Sequence, residues 1–308
     1  MSSPLNPDSL STCLPTFPYR NSRTKNELRD YMTELPIDAA CLRRVAVSNP
    51  GVADFIASGS PFPATPPAWA TALGVTELTL PRAGMNIQVN GDVASNLSQV
   101  NDIVEIAVKV GEQAIEDVFW SAWCAVTPPP NAGPSLFTYG ALNPSGPVDY
   151  ANAPLTLDRL ALLLRNQSWR TKSSRLVFVM HSRIFAGLES SARAAQTPLE
   201  ILPLGPDGQY VPTFLNIPIA QLDHISLTET TGPDTSSVYL LRLGDGDVAD
   251  GIRGVFVGVP RGRPGLQRGP IEPRAGVADI VQLSVWKEAT LASFSADSVV
   301  VGRRSLVV

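Results

Sequence analysis

The chain is poor in the residues that carry most catalytic and metal chemistry. It has two histidines, His181 and His224, so an imidazole metal cluster or a relay of imidazoles is excluded by inventory. Its three cysteines, Cys13, Cys41 and Cys124, are odd in number and widely spaced, which fits a reducing compartment better than a disulfide framework. Charged residues make up only 17% of the chain, short of the usual quarter or so. With 24 basic against 28 acidic side chains the net charge is -4, and no basic stripe marks nucleic-acid binding as the main task. The charge deficit points to surface buried against other subunits. The longest apolar runs, such as Leu160 to Leu164, fall far below the roughly 20 residues that span a bilayer. The N-terminus lacks the basic-then-apolar pattern of a signal peptide. A soluble, intracellular protein with no membrane partner is the expectation.

What the chain has in quantity is proline, 28, and glycine, 23 of 308 residues, beside 44% hydrophobic residues. There is ample material for a core, much interrupted by turns. The first twenty residues mix Pro, Ser and Asn with scattered apolar residues and read as an extended arm. Thr24 and Glu27 form a capping-box pattern, and Leu28, Tyr31, Met32 and Leu35 recur at helical spacing, so a short helix is expected to run to Pro36. A second is expected from about Asp38 to Val47. Asn49 to Thr76 reads as irregular connection. Glu77 to Leu80 and Met85 to Val89 predict a hairpin, with Met85, Ile87 and Val89 on one face. The strongest helix follows, capped by Asp102, its inward face carrying Ile106, Val110 and Phe119. Thr156 caps another helix, LTLDRLALLLRNQ, which leads into a buried strand, RLVFVM, and a helix with Ile184, Phe185 and Leu188 inward. Ile217 to Ile219, Ser237 to Leu243, Ile252 to Val259 and Asp279 to Trp286 read as strands. The class is α+β.

No catalytic, cofactor-binding or metal site is expected from the motifs. The acidic loop Gly244 to Gly251 has the wrong ligand spacing for calcium, and Gly262 and Gly265 match neither a phosphate loop nor a dinucleotide fingerprint. No G-x-S-x-G elbow occurs. Cys124 reads as a buried free thiol. His181, where a strand meets a helix, reads as a capping or packing residue; an enzyme using His181 and Asp223 is the reading from a different class. Arg261, Arg263, Arg268 and Arg274, with Arg253 before them, make either a solvated loop or an inter-subunit contact.

The order of elements resembles the tailed-phage major capsid proteins. Asn101-Asp102 followed by IVEIAVKVGEQAIEDVFWSAW is similar to that family's long spine helix, with Glu116-Asp117-Val118-Phe119 at its closing E-D-x-F. FLNIPIAQLDHI is similar to a strand motif in which Asn216 stands where glycine is usual, and TTGPDTSSVYLLRLG to the family's T-S-S-I-Y-x-x-R-F-G. The resemblance covers about residues 77 to 290. It implies a Hong Kong 97-like capsid fold with an N-terminal arm, an extended hairpin loop, a peripheral domain with the spine helix, and an axial domain. The divisions are 1–48 for arm and short helices, 49–100 for connection and extended loop, 101–154 for spine and peripheral domain, 155–260 for the axial domain, and 261–308 for the arginine-rich loop and return strands. It further implies a virion shell assembled in the host cytoplasm from many copies of itself as pentamers and hexamers. Packaged double-stranded DNA would be held by weak non-specific contact, and portal, scaffolding or decoration proteins are the further partners such shells admit. A bacterial compartment shell of the same fold, like the encapsulins, is the alternative. Met85, Ile87, Val89, Arg261, Arg263 and Arg268 are the expected inter-subunit contacts. No lysine lies between Lys25 and Lys109, so the lysine–asparagine cross-link that some members form from the extended loop is expected to be absent.

Overall fold

The computed structural model describes residues 28–37, 41–47, 73–90, 97–167, 175–205, 208–229, 233–244, 254–261, 265–273, 280–293 and 296–307. The first described residues form a single helical turn, α1 (Leu28–Tyr31), held by the burial of Leu28 and Tyr31. The chain then extends as β1 (Glu34–Ile37), parallel to β11 (Phe256–Pro260), with β14 (Thr290–Ala292) on the far side of β11. The helix expected to reach Pro36 therefore stops at Tyr31 and gives way to a strand, and the Thr24–Glu27 capping box lies outside the described residues. Pro36 is tolerated because β1 is an edge strand and has an open side that needs no donor. The second expected helix is also a strand: β2 (Cys41–Val47) pairs antiparallel with β3 (Leu73–Thr79), from Cys41 opposite Thr79 to Val47 opposite Leu73. A partner strand overrides weak helix propensity in a segment that carries Val45 and Val47.

The expected 77–89 hairpin does not form. β3 and β4 (Arg82–Asn90) belong to different sheets, and β4 pairs over nine successive residues with β13 (Ile280–Glu288). Period-two alternation identifies an apolar face; it does not identify the partner strand. The two-stranded ribbon of this chain is β2–β3 instead, with no third strand beside it among the described residues. β12 (Gln267–Pro273) flanks β13 on its other edge, so the segment Arg261 to Arg274, read as a loop, contains a strand.

Against the β4–β13 sheet lies the spine helix α2 (Leu97–Cys124), 28 residues and about 42 Å long. Asp102, expected as its cap, is inside it. Val108, Gly111, Ile115, Phe119 and Ala122, at spacings of three and four, are buried. At Gly111 sheet and helix approach closely: a β-carbon there would sit 3.0 Å from Ile87 Cδ1 and 3.2 Å from Val285 Cγ2. Of the three residues expected in the spine core, only Phe119 is there. Ile106 is 53% and Val110 46% exposed. With Val118 they form a second stripe, and a helix with two apolar stripes leaves its period ambiguous about which one the sheet takes.

The other half is a seven-stranded sheet in the order β5 (Val148–Pro154), β15 (Val299–Leu306), β10 (Thr235–Arg242), β6 (Leu176–Met180), β9 (Ile217–Gln221), β8 (Val211–Phe214), β7 (Glu200–Leu202). Its interior strand β10 is buried at every position, because both faces are covered. Tyr239 and Leu241 join Val177, Val179, Val299 and Val301 in the core that includes Phe119 and Trp123. Val238 and Leu240 join Phe178, Met180 and Val300 in a second core under α4 (Leu157–Asn166) and α5 (Ser182–Ala194). Thr156 caps α4 as expected, its hydroxyl accepting from the Arg159 amide at 3.4 Å. The short α3 (Leu136–Ala141) is started by Ser135 accepting from the Thr138 amide. The final strand β15 lies between β5 and β10, so the C-terminus returns to this sheet rather than to the peripheral one.

Candidate functional site

The E-D-x-F tetrad closing the spine helix sits where three parts of the chain meet, and each of its positions has a distinct physical task. Glu116 is nearly buried; it pairs with Arg29 of α1 and lies 3.7 Å from Lys287 Nζ of β13, which in turn lies 3.6 Å from Glu34 of β1. The shielded charges of Arg29, Glu116 and Lys287 tie N-terminal segment, spine and sheet together, since each of the three would be costly alone. Asp117 faces the other way, 3.4 Å from His224 Nε2 on the loop after β9. Val118 points outward, 58% exposed. Phe119 packs in the core against Trp123, ring centroids 5.4 Å apart.

His181 and Asp223 do come together, as a helix cap. His181 Nδ1 accepts from the Arg183 amide at 3.1 Å, and Asp223 Oδ1 accepts from the Ser182 amide at 3.2 Å. Burial, reinforced by the Arg183 charge and opposed by Asp223, holds the imidazole below its ordinary pKa. Ser182 Oγ and Asp223 Oδ1 both approach the same ring nitrogen, at 3.5 and 3.7 Å, whereas proton relay to a serine needs the two partners on opposite nitrogens. Cys124 is buried, which pushes its thiol pKa far up. Among the described residues no three His, Cys, Asp or Glu side chains converge as metal ligands.

The expected contact residues are scattered. Ile87 is partly buried against its own chain's core and Met85 reaches the same Gly111 contact while staying 40% exposed; Val89 is paired with Val281 through the backbone. Of this face, Ile87 is thus partly taken up by its own chain, and Met85 remains exposed. Arg261, at the end of β11, and Arg268, on β12, are exposed; Arg263 and the acidic loop 245–250 lie outside the described residues. Sequence reasoning missed the exposed apolar side chains Ile201, Tyr210 and Leu215 at the β7–β9 edge of the seven-stranded sheet. Isolated apolar residues in a Pro- and Gly-rich stretch carry no periodic signal.

No protein-family model matches the sequence, and no curated protein matches it. Solved structures do match over nearly the whole length. The SrpI encapsulin complex of Synechococcus elongatus PCC 7942 superposes with a TM-score of 0.68 at 16% identity, covering 91% of this chain and 87% of that one. The capsid of a native GTA particle gives 0.57 at 11% identity over 92% and 91%, and a structure of Mycobacterium phage Adephagia 0.52 at 11% over 90% and 88%. This is the Hong Kong 97 capsid fold. The E-D-x-F tetrad lies where the half built on α2 and the β12–β13–β4 sheet meets the half built on the seven-stranded sheet.

Proposed function

We propose that this chain is a shell-forming structural protein whose task is to assemble with many copies of itself and enclose double-stranded DNA, as the major capsid protein of a tailed phage. The observation that carries the shell-forming part is the superposition on shell proteins over about nine-tenths of both chains. The ordered series of phage-type motifs supports the genome-enclosing part. Apolar side chains exposed on the spine helix and at the β7–β9 end of the seven-stranded sheet support the shell-forming part, since a monomer gains nothing from exposing them. The mild negative charge suits a container that must not grip DNA tightly. On this reading the particle is assembled in the host cytoplasm, and Arg261, Arg263 and Arg268 contact a neighbouring copy. Many modest contacts, multiplied over a closed shell, give its strength.

A second reading, a compartment shell around protein cargo, is favoured by the TM-score of 0.68 to an encapsulin. Particles purified from the native source after nuclease treatment separate the two. Protected double-stranded DNA is the expected content; nucleic-acid-free particles holding a second protein would overturn the phage reading and leave the shell.

A further inference from the structure

Both histidines of the chain meet at one turn. Leu222–Ile225 follows β9 and is closed by the Ile225 amide donating to the Leu222 carbonyl at 3.2 Å. Leu222 and Ile225 peg it into the core that holds Phe119 and Trp123, and the Leu222 amide donates to the Met180 carbonyl at 2.9 Å, next to His181. The two residues at its tip serve different parts of the molecule. Asp223 accepts the Ser182 amide at the start of α5, and His224 reaches Asp117 on the spine helix. The turn thus joins the half built on the seven-stranded sheet to the half built on α2.

Each ring sits in a setting made for its neutral form. His181 Nδ1 accepts from the Arg183 amide, and a protonated ring would point a second hydrogen at that donor. At His224, Nε2 lies 3.4 Å from Asp117 Oδ1, so the neutral ring carries its hydrogen there. Its Nδ1 is buried and meets no partner among the described residues. A second proton would turn this idle acceptor into a buried, unpaired N–H. The carboxylates facing the rings oppose that cost: Asp117 and Asp223 at His224, and Asp223, against the like charge of Arg183, at His181. Magnitude decides between them. The Asp117 side chain is 56% exposed and that of His224 28%, and an ion pair so open to water contributes little. A buried donor left without an acceptor carries the full cost of its lost hydration.

We infer that the Leu222–Ile225 turn is an acid-sensitive clasp between the spine helix and the seven-stranded sheet, closed while both histidines are neutral and loosened from both sides as they take up protons. It concerns the single chain, assembled or free, and so does not depend on the shell-forming reading. Imidazoles change charge between about pH 5 and pH 8. The clasp is therefore closed at the upper end of that window and loosens as pH falls through it, because the open state binds more protons.

Hydrogen exchange read by mass spectrometry on the full-length chain, corrected for the intrinsic pH dependence of amide exchange, tests this. Between about pH 7.5 and about pH 5, corrected exchange of the turn and of the first turn of α5 is expected to rise about tenfold or more, while the buried strand β10 stays protected. His181→Asn keeps a capping acceptor, and His224→Gln keeps a donor towards Asp117; neither titrates. The double variant is expected to show no such rise. An equal rise in wild type and double variant would overturn the inference, as would a wild type whose turn is indifferent to acid. Slower exchange at the lower pH would also overturn it, by showing that the His224–Asp117 attraction wins. Should the double variant exchange freely already at neutral pH, Asp117→Asn decides. It keeps an acceptor but removes a charge that opposes opening, so its rise on acidification is expected to exceed that of the wild type; an equal or smaller rise would contradict the clasp.

Discussion

His181 shows how one buried side chain sets a pH limit on the fold. Its neutral Nδ1 accepts the Arg183 amide at the start of α5, a bond the protonated ring cannot make. Burial lowers its pKa in the folded chain, with Arg183 adding to the effect and Asp223 opposing it; His224 follows Asp223 in the same loop. A folded-state value below the ordinary 6.5 or so means the stabilisation is fully present above about pH 6.5 and is lost as pH falls through the folded value. His181→Asn keeps a capping acceptor without a titrating ring. The melting temperature of the wild type is therefore expected to drop more steeply than that of His181→Asn between pH 7 and pH 5, and parallel curves would show that the cap does not titrate. Glu116 gives a second residue-scale test. Glu116→Gln leaves Arg29 and Lys287 short of their shared carboxylate and should cost about 2 kcal/mol by denaturant unfolding. An unchanged midpoint would place the junction's strength in Leu28 and Phe119 instead.

At the scale of elements, the spine helix offers the sharpest contrast. Val110 lies on the exposed stripe, so Val110→Asp is expected to leave soluble expression unchanged and the unfolding free energy within about 0.5 kcal/mol of the wild type. Ile115, 3% exposed on the stripe the sheet covers, should not tolerate the same change: Ile115→Asp buries an unpaired charge and is expected to yield insoluble protein. Equal behaviour of the two variants would mean the helix face is misassigned. The same helix shows what could be read beforehand and what could not. Its existence, the cap at Thr156, the buried run Leu176–Met180 and the strand around Tyr239 were legible, because capping chemistry and continuous apolar runs act locally. The pairing of β4 with β13 was not, since about 190 residues separate them and no local pattern encodes a distant register. Nor was β2, where Arg43 and Arg44 suit a helix and only the presence of β3 settles the matter. The E-D-x-F tetrad was visible as a motif, yet its division into an ion-pair anchor, an axial-loop contact, an outward position and a core aromatic required the fold.

At the scale of the whole molecule, the chain reads as a subunit built for company: among the described residues it has a two-stranded ribbon without a third strand, an exposed apolar stripe on the spine, and exposed apolar side chains at the β7–β9 end of the seven-stranded sheet. Its strength as an assembly is expected to be non-covalent, because no lysine occurs between Lys25 and Lys109 to supply a cross-link from the ribbon. Denaturing gels of purified particles should show a single monomer band, and a ladder of covalent multimers would refute this. The most direct test of the central claim is electron microscopy of the full-length chain after purification at neutral pH. Closed, hollow particles of uniform diameter are the predicted result; a monodisperse species with the mass of one chain, which no change of salt or concentration drives to assemble, would contradict it.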